Sequence, residues 1–400
     1  MKRSSVTTSV SVIIVALTLF SFVALSATAE SSSTWTFMVY LDADNNLDYM
    51  GMLDMEEMKA AEPSELVNIV VLLDRFELPA HAYQIVDGEA VSVEYFPLNN
   101  VEVNMGDPET LQTFVTYSIA EFPADRYVLV LWDHGSSFRG VCWDDNTGVP
   151  GLESDHLWPW ETAEALFNVE LDILAFDACL QATIENIYEY AESDIDYIIA
   201  SEGLVPGEGY PYTQILDILV ADTDMETLDF AKSCADAFVE FYRAPDYPWG
   251  MQISTTLSVI EPAEVNAMVE GLDTLAIALK DALLEEDNWE TAHELISEAR
   301  GGTFPLGVSY IDLVKFVDNL SSDFPEAADL SNVIHDAVYV ANTRPMEDIT
   351  KGLAIFFPPS YHCRLWDSSW GRYYDWTAFS ETEWPTFMDT YYGDHHRHAG

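Results

Sequence analysis

Basic residues are scarce in this 400-residue chain: 16 Lys and Arg stand against 69 Asp and Glu, for a formal net charge of −53. Nucleic acid is excluded as a partner, because binding it depends on Lys and Arg neutralising phosphates. Cysteine is scarce too. The four are Cys142, Cys179, Cys234 and Cys363. If one is kept free for chemistry, at most one disulfide remains, so this is not a disulfide scaffold. Long apolar runs are missing after the first 29 residues, so no later segment is expected to span a bilayer. Internal repeats and low-complexity linkers are missing as well.

The acid is spread along the chain rather than gathered in a tail. It reads as a solvated surface whose self-repulsion suits high salt or bound cations. A saline habitat and calcium binding are the two explanations, with calcium the candidate ligand and the metal site unknown. Hydrophobic residues reach 49%, which is globular rather than disordered composition. Residues 1–29 differ from the rest. Lys2 and Arg3 precede the apolar run "VSVIIVALTLFSFVAL", and "SATAE" supplies small residues for cleavage after Ala29. That order is a secretory signal peptide and implies a secreted or extracellular protein. An uncleaved anchor is the alternative.

Beyond it, "TWTFMVYLDAD", "VNIVVLLDRF", "RYVLVLWDHG", "LDILAFDACL" and "DYIIASEGL" read as buried strands. Helical spacing appears over "NNLDYMGMLDMEEMKAA", from Pro108 to about Phe122, and over "ATIENIYEYAES". Asp87-Gly88 signals a hairpin. Strands apolar on both faces and alternating with helices predict an α/β fold with a mostly parallel sheet covered on two sides. The division expected is a catalytic domain at 30–245 and a helix-rich region at 246–400. "GLAIFFPPS" is a late apolar strand and a candidate to rejoin the sheet.

Ligands of open parallel sheets sit at the carboxyl ends of the strands. Those ends carry Asp42 and Asp44; Asp74 and Arg75; Asp133, His134 and Gly135; Asp177 and Cys179; Ser201 and Glu202. Only Cys179 offers a nucleophile, and only His134 a base of the usual kind. A thiolate is the reactive form, and an imidazole together with a following helix N-terminus would lower the thiol pKa. His134 can activate the thiol or protonate a leaving amine. The backbone N–H groups of Gly135 and Cys179 suit an oxyanion hole. Asp177 shares a strand face with Cys179. A carboxylate there raises the thiol pKa, which makes sense if a cationic substrate side chain sits between them.

Strand–Asp-His-Gly followed by strand–Asp-Ala-Cys resembles the clostripain family of cysteine peptidases, in the clan of caspases, legumain and gingipains. "TWTFMVYLDADNNLD" is similar to that family's opening strand and turn, and "YIIASEGLVPGEGYPY" to its segment after the catalytic Cys. The resemblance covers roughly residues 34–215. It implies a caspase-like α/β/α sandwich, a Cys179–His134 dyad and endopeptidase cleavage of polypeptides after Arg or Lys. It also implies Asp177 in the pocket for the residue before the scissile bond. Glu202 and Glu208 are further candidates for that pocket. The chemistry needs no cofactor, and calcium stimulation is common in the family. Self-processing in the loop after the catalytic His is the family habit. Here no Lys or Arg lies between Arg139 and Lys232, so one chain, a monomer, is expected, cut beside Arg139 if at all.

Other readings stay open. A metal-dependent hydrolase would use Asp42, Asp44, Asp133 and His134. A non-catalytic surface binding protein could keep the fold. "DADNNLDYMGML" imitates a calcium loop, but Leu47 and Leu53 occupy positions that need Gly and Glu, so helix capping is the better account. Asp133 is expected to orient a loop. Cys234 reads as helix core and "GDHHRHAG" as a frayed tail.

Overall fold

The computed structural model describes residues 33–244, 255–303, 305–306, 309–343, 350–359 and 377–398. Cys363 and the segment 1–29 lie outside the described residues, as do the side chains of the terminal histidines. Ser31–Gly400 cluster into one compact unit.

The expected strands form for the expected reason. β1 (Ser33–Ala43) is followed by α1 (Asp48–Ala60), β2 (Val67–Arg75), β3 (Leu78–Val86) and β4 (Glu89–Ser92). Asp87 and Gly88 join β3 to β4 with φ of 49° and 79°. Two positive φ values in a two-residue loop match the right-handed twist of the flanking strands. α2 (Pro108–Glu121) has Pro108 in its first turn, and the Asp107 side chain accepts the Glu109 N–H at 2.9 Å, which satisfies one orphan donor. β5 (Ala124–Trp132) comes next. The Gly- and Asp-rich loop after it holds a short hairpin of β6 (Val141–Asp144) and β7 (Asp155–Leu157), then α3 (Pro159–Ala165). β8 (Leu171–Asp177), α4 (Ile184–Tyr188), β9 (Ile195–Ala200), α5 (Tyr212–Ala221) and α6 (Thr227–Arg243) follow.

The helix after Cys179 is shorter and later than expected. Leu180 is left-handed (φ 61°), and Leu180 and Ala182 donate their N–H groups to Gly203 and Ser201. That pairing holds the chain extended until Thr183. Cys179 is therefore not at a helix N-terminus.

In the C-terminal region β10 (Thr256–Ile260) precedes α7 (Val265–Leu284) and α8 (Trp289–Gly301). Then come β11 (Pro305–Leu306), β12 (Tyr310–Asp312), α9 (Leu313–Leu320), α10 (Pro325–Ala337), β13 (Val338–Asn342), β14 (Ala354–Phe356) and α11 (Trp384–His398). The main sheet has the order β13-β10-β9-β8-β5-β1-β2-β3-β4. Its five central strands, β9 to β2, are mutually parallel, and both flanks are antiparallel. The late strand β14 does not rejoin it. β13 already occupies the edge beside β10, and β14 pairs with β12 in a separate three-stranded sheet.

Alternate side chains of the central strands enter two cores. Met38, Tyr40, Leu129, Leu131, Leu174 and Phe176 face one side, with α2, α4 and α7–α11. Phe37, Val39, Leu41, Val128, Val130 and Ile173 face the other, with α1, α5 and α6. This is the α/β/α sandwich that the two-sided apolar strands require. β2 lies on one side of β1 and β5 on the other, so the strand order reverses there. The crevice at that switch point, past the carboxyl ends, is where such sheets bind ligands.

Gly51 lets α1 dock closely. A Cβ there would lie 2.7 Å from Leu41 Cδ2 and 3.0 Å from Ala43 Cβ. Gly51→Val should destabilise the fold by about 1–3 kcal/mol through overpacking, read from denaturant unfolding. Unchanged or higher stability would show that the α1–β1 contact yields freely.

Candidate active site

Trp132 of β5 and Asp177 of β8 are register partners, and the Asp133 N–H donates to the Asp177 carbonyl at 3.3 Å. His134 and Cys179 each stand two residues beyond that pair, on neighbouring strands. They line a cleft of about 260 Å³ together with Leu47, Trp132, Asp177, residues 204–207 and Gly209.

Cys179 is half-buried, whereas Cys142 and Cys234 are buried and free. Its sulfur accepts the Val205 N–H at 3.3 Å, and its S–H faces the Val205 carbonyl at 3.7 Å. Burial raises the thiol pKa; the Val205 N–H opposes this, and Asp177 and Asp133 add to it. Burial lowers the pKa of His134. The free site therefore holds a neutral thiol and a neutral imidazole. The ring Nε2 is 3.0 Å from Asn46 Oδ1. A carbonyl oxygen can only accept, so Nε2 carries the proton and Nδ1 keeps the basic lone pair.

Asn46 was missed by sequence reasoning, although it stands in the quoted "DADNNLD". Its neighbour Asn45 accepts the Leu47 N–H through Oδ1 (2.8 Å), capping the turn into α1. Asn45 also donates to Asp133 Oδ1 (2.8 Å) and to the Trp143 carbonyl (2.9 Å). The Trp143 N–H donates to the other oxygen of Asp133. Asp133 thus ties loops together, as expected of it.

Gly135 is required by contact. A Cβ there would lie 2.4 Å from the Cys179 carbonyl oxygen. Among the described residues, neither the Gly135 N–H nor the Cys179 N–H donates a hydrogen bond; the adjoining turn closes through Ser136 N–H to the Gly140 carbonyl (2.9 Å).

Asp177 is buried at the base of the cleft. Its Oδ2 accepts from the Tyr210 N–H (2.9 Å) and the Tyr212 hydroxyl (3.1 Å), while Oδ1 has no hydrogen-bond partner among the described residues. Burial pushes its pKa up to about 7. Asp54, another residue that sequence reasoning missed, is raised by burial and then by the charge of Asp177, against the hydrogen bond from the Trp132 indole (2.6 Å). Glu57 and Glu208 also bear on Asp54. Glu208 is half-buried between two glycines of the cleft segment.

Glu202 is not brought to the cleft. It is fully buried, accepts from the Gly352 N–H (3.1 Å) and the Thr256 hydroxyl (3.4 Å), and pairs with Asp312. The metal set of Asp42, Asp44, Asp133 and His134 is not assembled either. Asp44 instead meets Asp74 and Asp144.

The profile of the clostripain family matches residues 39–391. The chain belongs to the clostripain family. It is 32% identical over 221 residues to clostripain of Hathewaya histolytica, a match spanning 46% of this chain and 42% of that relative's length. A secreted C11 cysteine protease from Bacteroides thetaiotaomicron, solved with an irreversible peptide inhibitor, superposes with a TM-score of 0.67 at 19% identity. That alignment covers 89% of this chain and 99% of the other. An inactive zymogen C11 protease from Parabacteroides distasonis gives a TM-score of 0.59 at 19% identity, covering 85% and 98%. These two show a shared fold. Among the described residues, no helix of this clostripain-family chain is long and apolar enough to cross a membrane.

The protonation states predict how Cys179 reacts. A thiol pKa above its ordinary value leaves little thiolate at pH 7, so iodoacetamide alkylation of Cys179 should climb steadily past pH 9. A plateau already at pH 6, read by peptide mapping, would mean a preformed thiolate–imidazolium pair. Buried Cys142 and Cys234 should stay unmodified in the folded protein.

Proposed function

We propose that this clostripain-family chain is an exported cysteine endopeptidase that cleaves polypeptides after Arg or Lys. One observation carries the reading: Cys179, His134 and buried Asp177 line a single cleft. The clostripain relative and the C11 neighbours support the reaction class. The basic–apolar–small order of residues 1–29 supports export, and a purified mature protein beginning at Glu30 would bear it out.

Substrate lays its scissile carbonyl over Cys179. His134 Nδ1 takes the thiol proton as sulfur attacks the carbonyl carbon. The negative oxygen of the tetrahedral intermediate is received by the Gly135 and Cys179 N–H groups. The imidazolium then returns its proton to the leaving amine, and the C–N bond breaks. Water, deprotonated by His134, hydrolyses the thioester and releases the acid product with the thiol restored. Asn46 holds the ring in the tautomer this sequence needs. The chemistry uses protein groups alone.

The cationic side chain of the residue before the scissile bond enters toward Asp177, with Asp54 behind it and Glu208 at the rim. Two buried carboxylates attract that charge and repel an acidic one. A single-chain monomer is proposed, since only Arg139 offers a basic cleavage point in the loop after His134.

Fluorogenic Arg- and Lys-amides test this. Cys179→Ala and His134→Ala should each lower kcat/KM by at least about a thousandfold without changing the melting temperature. Near-wild-type turnover in either removes the dyad.

Asp177 predicts a pH signature. Its pKa of about 7 means it gains negative charge as pH rises through neutrality. The ratio of kcat/KM for basic over neutral substrates should therefore rise between pH 6 and 8. Taking a ratio cancels the common ionisation of the thiol. Asp177→Asn should flatten that rise and cost basic substrates about 100-fold. Equal losses on basic and neutral substrates would make Asp177 structural.

A further inference from the structure

Gln181 follows Cys179 by two residues and is 1% exposed. A buried side-chain amide takes donors and an acceptor out of water, and they need partners. Its Nε2 donates to the Cys179 carbonyl at 3.0 Å and, over a longer 3.5 Å, to the Gly140 carbonyl. Its Oε1 accepts from Asn186 Nδ2 at 3.1 Å, and the same nitrogen donates to the Gln181 carbonyl at 2.8 Å. Asn186 lies on α4 and is fully buried. This network fixes which end of the amide is which, because a reversed Gln181 would turn its oxygen toward two carbonyls.

The amide reaches both loops of the cleft. Cys179 belongs to the turn after β8, and Gly140 closes the turn after β5, where its carbonyl also accepts the Ser136 N–H (2.9 Å). Ser137 Oγ and Thr183 Oγ1, 2.7 Å apart, add a second link between the loops. Gly135 lies against the amide: a Cβ there would stand 2.7 Å from Gln181 Nε2 as well as 2.4 Å from the Cys179 carbonyl oxygen. The Cys179–Leu180 peptide is thereby held at both ends. Gln181 takes its carbonyl, and the Gly203 carbonyl accepts its N–H at 2.8 Å. Leu180 is left-handed (φ 61°), a conformation disfavoured for a residue with a Cβ. Rotating this peptide would relieve Leu180 and carry the Cys179 carbonyl away from Gly135.

We propose that Gln181 is a positioning residue for the oxyanion hole, setting the spacing between the Cys179 and Gly135 N–H groups by holding the carbonyls of Cys179 and Gly140. This rests on the peptidase reading. Gln181 does not line the cleft, so it acts through the peptides it holds. Oxyanion donors act where charge develops in the transition state, and they must be aimed there beforehand. Their spacing therefore bears on kcat, and substrate binding in the ground state is left almost unchanged.

Gln181→Met keeps the length of the side chain and removes the donor. On fluorogenic Arg- and Lys-amides its kcat should fall about 10- to 100-fold with KM within about twofold of wild type. A peptide aldehyde ending in Arg forms a tetrahedral hemithioacetal when the Cys179 sulfur bonds its carbonyl carbon and the thiol proton passes to the new hydroxyl. Its binding should weaken by the same factor as kcat. Gln181→Glu supplies a donor only while protonated, so its kcat relative to wild type should fall as pH rises. Each variant is assayed below its own melting temperature at every pH. Hydrogen exchange on the full-length protein reads the positioning without activity. Residues 134–140 and 178–182 should exchange faster in Gln181→Met, with β1 and β2 unchanged. Wild-type kcat in Gln181→Met, or a loss confined to KM with aldehyde binding unchanged, overturns the role in the oxyanion hole. Unchanged exchange at 134–140 overturns the link between the loops. If wild type neither cleaves basic amides nor binds the aldehyde, the peptidase reading has failed, and exchange still decides the link.

Discussion

The parallel pairing of β5 with β8, in a register that sets Trp132 against Asp177, is the constraint on which the site depends. Neighbouring strands lie just under about 5 Å apart. Two chains leaving adjacent strand ends in step must carry their following residues side by side. His134 and Cys179 line one cleft for that reason, though 45 residues separate them in the chain. The same closeness leaves no room for a side chain at position 135, where the Cys179 carbonyl already stands. A glycine beside Cys179 is a consequence of the register.

A second rule follows from burial. The strand ends gather Asp42, Asp44, Asp74, Asp133 and Asp177 out of water. Desolvation pushes every one of them toward the neutral acid. Asp133 escapes part of this cost through N–H donors on both oxygens. Asp177 is satisfied on one oxygen and open on the other. Among the described residues, one oxygen of Asp74 accepts no hydrogen bond. An open, buried carboxylate oxygen is a place for a positive charge.

Much of this was legible in the sequence. Strands apolar on both faces announced a covered parallel sheet, Asp87-Gly88 announced its hairpin, and Asp-His-Gly with Asp-Ala-Cys announced the cleft. The errors have a common physical origin. The helix after Cys179 is delayed because Leu180 and Ala182 pair with the 201–203 backbone, a non-local bond that outweighs helical periodicity. Glu202 is the right residue type near a strand end, yet it points into the Asp312 pair instead of the cleft. β14 is apolar enough for the main sheet but finds the edge already taken by β13.

The sequence by itself determined which segments are strands, which face of each is apolar, and which two residues are chemically able to act as nucleophile and base. Those properties depend on local periodicity and on side-chain chemistry, and both are written in order along the chain. Tertiary structure alone decided that Asn46 holds the His134 ring, that the charge of Asp177 bears on Asp54, and that Asp44, Asp74 and Asp144 converge. Each of those meetings joins residues from different elements or loops. It is set by register, by strand order and by which buried oxygen is left without a donor, and none of these is encoded in local spacing.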